Sequence, residues 1–162
     1  MKSEEFVKGY QKAKKTNSHE AFIKKHITKT YLPFELKIAE AKDVVEKSCY
    51  KEINGKRVFQ QNSPAFFMLF MLKVISNYTD IEIGENEEAL TTFNAFAEAG
   101  LFEALINIFP REYDSFNTVL QMIKDDEMEN YRSLAGFFET KVESLDMALG
   151  AIAEAANSIQ QK

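Results

Sequence analysis

A chain of 162 residues with 45% hydrophobic content has material for one core and too much of it for a disordered segment, and a single cysteine excludes an internal disulfide framework. The charge is divided along the chain: residues 1–62 hold 14 Lys and Arg against 8 Asp and Glu, a net of +6, whereas residues 63–162 hold 6 against 17, a net of −11. Such asymmetry speaks to association rather than to fold, and fourteen Phe with three Pro and six Gly favour long helices over many short strands.

In chain order, residues 3–15 form a helix with a thin apolar face, Phe6, Val7, Tyr10 and Ala13. Ser18 opens a second short helix through about Lys29, with Phe22, Ile23 and Ile27 inside. Residues 1–30 hold eight Lys against three Glu and are expected to be a loosely packed basic helical arm. Pro33 stands at a first helical position, and Phe34, Ile38, Ala41, Val44 and Val45 keep helical spacing to about Ser48.

Asn54-Gly55 is the pair that a type I′ turn requires, so residues 50–59 are read as one short hairpin. Tyr50, Val58 or Phe59 must then lean on the helices, because an isolated hairpin is marginal. Ser63-Pro64 marks a sharp helix start, with Ser63 as N-cap. The run Phe66-Phe67-Met68-Leu69-Phe70-Met71-Leu72 has no polar side, which places the Pro64–Asn77 helix at the centre of the fold. Another helix starts at Asn86-Glu87-Glu88 and stops at Gly100, and Leu101–Phe109 makes a short buried one before Pro110.

Pro110 to Lys124 is amphipathic, and the spacing of Asp126 and Glu129 predicts a capping box that opens the longest helix. Tyr131, Ala135, Phe138, Val142, Leu145, Leu149, Ile152, Ala156 and Ile159 form a heptad seam along it. Two readings stay open: the first half packs on the core, or the second half, with Leu145, Leu149, Ile152, Ala156 and Ile159, pairs with another chain. The domain layout is therefore read as a basic arm at 1–30, a helical core at 31–145 and an oligomerisation segment at 146–162.

No motif points to a reaction, so no catalytic residue, metal site, cofactor or small-molecule substrate is expected. The acids Asp125, Asp126, Glu127 and Glu129 are explained by capping and the helix dipole, His19 and His26 by solvation, and Cys49 by the core. Lys12, Lys14, Lys15, Lys24, Lys25 and Lys29 could contact a polyanion, but an all-lysine patch reads no bases. An acidic protein partner or head-to-tail self-association fits better, since a positive end facing a negative one supplies a heterologous contact. The amino terminus lacks the apolar stretch of a signal peptide and no run is long enough to span a bilayer, so a soluble intracellular protein is expected.

Several segments together carry a resemblance. They are Tyr31-Leu32-Pro33-Phe34-Glu35-Leu36-Lys37, the lone Asn-Gly turn, Asn62-Ser63-Pro64-Ala65-Phe66-Phe67-Met68-Leu69-Phe70, Tyr78-Thr79-Asp80-Ile81-Glu82, Ile108-Phe109-Pro110-Arg111-Glu112-Tyr113 and Asp125-Asp126-Glu127-Met128-Glu129-Asn130. In this order they resemble small helical proteins that tailed bacteriophages and prophages of Gram-positive bacteria encode among their virion-structure genes. The likeness covers about residues 31–145 and implies a setting, not a site: tail assembly or structure, in the host cytoplasm or the virion. A phage-encoded inhibitor of a host defence or transcription protein, acting through its acidic surface, is one alternative; a nucleic-acid-binding protein using the basic arm is another. The expected fold is all-α, with six to eight helices around the central apolar one, a short β-hairpin and a long C-terminal helix.

Overall fold

The computed structural model describes residues 1–84, 87–133, 136 and 141–142. Seven helices and one hairpin run in the order α1 (Ser3–Lys15), α2 (His19–His26), α3 (Phe34–Cys49), β1 (Tyr50–Ile53), β2 (Lys56–Phe59), α4 (Ser63–Tyr78), α5 (Glu87–Ala99), α6 (Leu101–Ile108) and α7 (Pro110–Arg132). The chain divides into two units, Met1–Lys124 and Asp125–Lys162, and the elements up to α6 belong to the first.

The local chemistry of the boundaries explains most of them. Asn54 and Gly55 both take positive φ, 52° and 73°, the left-handed pair that joins β1 to β2 with Ile53 opposite Lys56. Gly100 has φ 73° and separates α5 from α6 with a bend that a side chain would resist. At the start of α4 the cap is Asn62 and not Ser63: the Asn62 carboxamide oxygen accepts a hydrogen bond from the Ala65 N–H, and Ser63 and Pro64 already lie within the helix. Pro33 likewise stands one position earlier than its sequence suggests, as the N-cap of α3.

Two expectations need correction. The first thirty residues are no loose arm, because Phe6, Tyr10 and Ile23 are buried in the common core and α1 packs on both α2 and α5. The chain divides after Lys124, and the expected boundary at 145 lies outside the described residues. The capping box at Asp126 is not formed either: α7 continues unbroken from Pro110 to Arg132. No Gly or Pro interrupts residues 111–132, and an aspartate inside a helix costs only about 0.7 kcal/mol, too little to stop one.

The core of the first unit draws on every helix from α1 to α7, and α4 contributes seven of its buried side chains. Phe66, Phe70, Met71, Leu72, Val74, Ile75 and Tyr78 are buried there, chiefly against α3 and α5. Phe70 meets Phe116 at 5.2 Å and Tyr113 at 5.6 Å between ring centroids, and Tyr78 stacks on Phe109 at 4.9 Å. The expectation of a helix enclosed on every side fails near its N-terminal end, where Phe67 is 53% exposed. The hairpin rests on the core through Tyr50 and Phe59, whose rings meet edge-on at 5.3 Å, while Arg57 lies 3.8 Å from the Tyr50 ring.

Candidate interaction surface

Aromatic side chains lead from the middle of the first unit to its surface. Buried Phe6 and Phe96 are 6.4 Å apart between centroids, Phe96 meets Phe102 at 6.1 Å, and Phe102 meets Phe93 at 5.0 Å. Phe93 then meets Phe67 at 6.0 Å with the rings at 85°, an edge-on contact that leaves half of Phe67 uncovered. Leu90 precedes Phe93 by one turn of α5 and is 52% exposed, and Ala97 follows it by one turn, also exposed. The result is a surface row of Leu90, Phe93 and Ala97 along α5, with Phe67 of α4 beside it. Covering the open halves of Phe67 and Leu90 would contribute about 1 kcal/mol each.

The stretch of sequence that carries this row is acidic. Residues 63–109 carry a single cation, Lys73, against seven acids, a net of −6. Lys73 is itself occupied, its Nζ 2.6 Å from Glu40 and 2.8 Å from Asp43. Burial pulls the Lys73 ammonium down, but those two carboxylates outweigh it and hold it above the ordinary lysine range. Glu88 and Glu98 on α5 and Glu103 on α6 are exposed.

The lysines singled out as a polyanion patch are put to different uses. Lys14 donates to the Ala99 carbonyl at 3.2 Å, at the C-terminal end of α5 where a cation complements the dipole. Lys24 pairs with Glu20 at 2.6 Å. Lys12 and Lys15, with Lys8, occupy the face of α1 opposite Phe6 and Tyr10, while Lys25 and Lys29 are exposed on α2 and in the loop that follows. The other set, Leu145, Leu149, Ile152, Ala156 and Ile159, lies outside the described residues.

A buried polar node sits at the start of α7. Glu112 Oε1 accepts from the Leu32 N–H at 2.7 Å, the Tyr78 hydroxyl at 2.9 Å and Lys37 Nζ at 2.9 Å, and Lys37 also donates to Ser115 Oγ at 2.9 Å. The Lys37 side chain is 3% exposed and that of Glu112 13%. Burial pushes the Glu112 carboxyl up, yet the three donors prevail and hold it below the usual glutamate range. Burial and the Glu112 charge raise the Tyr78 hydroxyl far above ordinary tyrosine. Residues from three separate stretches of the chain, Leu32 and Lys37, Tyr78, and Glu112 with Ser115, meet here. The node ties α3, α4 and α7 together, and every partner that its four side chains use is internal.

The remaining candidates are likewise structural. His26 is not a solvated histidine: its ring packs on Phe6 at 5.1 Å and Phe22 at 4.9 Å, and Nδ1 lies 3.0 Å from Asp80 Oδ1. His19 is also part-buried, edge-on to Tyr10 at 6.1 Å. Cys49 is fully buried, and burial raises its thiol pKa, which keeps it in the unreactive form. Among the described residues no three His, Cys, Asp or Glu side chains gather as a metal site, and no helix is long and apolar enough to cross a membrane.

Sequence reasoning missed both the surface row and the node. It placed Phe67 inside, and nothing local marked Leu90; the node joins residues up to 80 positions apart. The chain was compared with protein-family models, curated proteins and solved structures, and none matches.

Proposed function

We propose that this chain is a non-enzymatic interaction protein of a tailed bacteriophage, acting in tail assembly or as a minor structural component of the virion. The observation that carries the interaction reading is the Phe67–Leu90–Phe93 row, an uncovered extension of the core set in a strongly acidic stretch of sequence. Exposed apolar side chains continuous with a rigid core are what a partner helix buries, and a one-sided field sets the orientation and rate of encounter. The phage setting rests on the order of segments described above. It is supported by the size and helical character of the chain, which suit an assembly chaperone working in the host cytoplasm. The test is a nonsense allele in the encoding phage genome, followed by electron microscopy of the lysate. Heads without tails, or tails of aberrant length, support the reading; a normal yield of intact particles refutes it.

A further inference from the structure

We propose that Asn54, at the tip of the hairpin, is a site of spontaneous deamidation, and that its isoaspartyl product breaks the pairing of β1 with β2. Asparagine is among the thermolabile residues, and a small residue after it leaves its carboxamide open to attack by the next main-chain nitrogen. Among the described residues three asparagines precede glycine or serine: Asn17 before Ser18, Asn54 before Gly55 and Asn62 before Ser63. The fold protects two of them. The Ser18 N–H, which would have to attack, donates to the Ala13 carbonyl at 2.9 Å. The Asn62 carboxamide is engaged as the cap of α4, accepting from the Ala65 N–H at 3.2 Å. Asn54 and Gly55 are both exposed, and among the described residues neither the Asn54 carboxamide nor the Gly55 N–H has a hydrogen-bond partner. A Cβ built on Gly55 would meet no atom of a more distant residue within 4 Å, so solvent reaches the attacking nitrogen freely.

The reaction needs only water. Solvent hydroxide takes the Gly55 N–H proton, the nitrogen bonds to Asn54 Cγ, and the Cγ–Nδ2 bond breaks, releasing ammonia that takes its proton from water. Water then opens the cyclic imide. Cleavage at Cγ leaves aspartate at position 54, and cleavage at the main-chain carbonyl leaves isoaspartate, whose chain runs through Cβ and Cγ; nothing is oxidised or reduced. Aspartate keeps the turn, because Asp-Gly suits the type I′ geometry as Asn-Gly does. Isoaspartate lengthens the main chain by one atom, so Ile53 cannot stay opposite Lys56, and a two-stranded hairpin has little stability to spare. A closed type I′ turn holds ψ of its asparagine at about 30°. The ring closes only once that angle changes, so local opening of the tip precedes attack.

The test incubates the full chain in mildly alkaline, non-denaturing buffer and follows it by tryptic peptide mass spectrometry. Trypsin places the three asparagines in separate peptides, residues 16–24, 52–56 and 58–73. Conversion at Asn54 should run at least tenfold faster than at Asn17 or Asn62. Gly55→Ala should slow it at least tenfold, because the new Cβ crowds the attacking nitrogen. An alanine at φ 73° also loosens the turn, which alone would quicken the reaction, so slowing reports the chemistry even where the hairpin frays. The isoaspartyl fraction, separated by ion exchange, should exchange its β1 and β2 amide hydrogens at least tenfold faster than the unreacted chain, and Asn54→Asp should match the unreacted chain. Equal conversion at Asn17 or Asn62, an intact Asn54 when the free peptide of residues 50–59 has fully converted, no slowing in Gly55→Ala, or unchanged exchange in the isoaspartyl fraction each overturns the proposal. The interaction reading is separate, since it stands or falls on the particles of the nonsense allele.

Discussion

Replacing Glu112 by Ala should be among the most damaging single changes in this chain. The carboxylate oxygen Oε1 satisfies three donors at once, at 2.7, 2.9 and 2.9 Å, and one of them is the ammonium of Lys37, 3% exposed. Removing it leaves a buried cation with only the Ser115 hydroxyl and the Tyr31 ring as partners, and it strands the Leu32 N–H and the Tyr78 hydroxyl. Breaking a buried pair from one side costs about 3–5 kcal/mol, most of it the penalty of the orphaned charge. For a unit of this size that corresponds to a fall in Tm of about 10–20 °C. The matching experiment is a double-mutant cycle with Lys37→Met, followed by urea denaturation. Lys37→Met in the Glu112→Ala background should recover at least about 1 kcal/mol, because it removes the stranded ammonium. A single-variant loss below about 1 kcal/mol, or no recovery in the double variant, would show the pair to be hydrated and the burial argument wrong.

The pH dependence follows from the same groups. Glu112 and Asp43 are held below their ordinary values of 4.5 and 3.8, so their contribution is complete above those values and disappears as pH falls through the lower folded ones. Lys73 is raised above 10.5, so its contribution is complete below that value and is lost as pH rises through the higher folded one. Stability measured by denaturation should therefore be level between about pH 5 and pH 10 as far as these groups act, and a maximum near pH 3 would contradict the assignment. Asn62→Ala should cost about 1 kcal/mol through loss of the cap, whereas Ser63→Ala should be nearly neutral; the reverse order would restore Ser63 as the cap. Gly9→Ala should destabilise by about 1–3 kcal/mol, because a Cβ there would lie 2.6 Å from Phe22 Cζ. A thermal melt in which Gly9→Ala raises Tm would show that the α1–α2 contact has room to spare.

What could be read from the sequence was local. Asn54-Gly55, Gly100 and Pro110 each dictate a backbone state by their own chemistry, and the hairpin and the junctions between α5, α6 and α7 follow. Asp126 misled for the same reason that these succeed. A capping pattern records what a residue can do at a helix start, but it cannot interrupt a helix that nothing else breaks. The apolar run of α4 indicates which residues want burial, but how far the neighbouring elements extend over its N-terminal end is a tertiary fact, and Phe67 is left half open there. Lys37 and Glu112 each look like an ordinary surface charge in sequence, and only the packing of α3 against α7 makes them a buried pair.

The structure also changes the meaning of the divided charge. Residues 1–124 contain 17 cations and 17 acids, so the first unit is neutral in sum, and the surplus of −5 belongs entirely to residues 125–162. Within the neutral unit the signs are still apart. The lysines of α1 and α2 sit on outer faces, while the stretch from α4 to α6 is acidic. Each whole chain still carries −5, so any attraction between opposite patches of two copies acts against a net like-charge repulsion. The field of such patches fades beyond about 8 Å at physiological ionic strength, so it steers approach and register and leaves adhesion to buried apolar surface. Within the stretch from α4 to α6, Phe67 and Leu90 are the exposed large apolar side chains among the described residues, and the interaction reading proposed above rests on them.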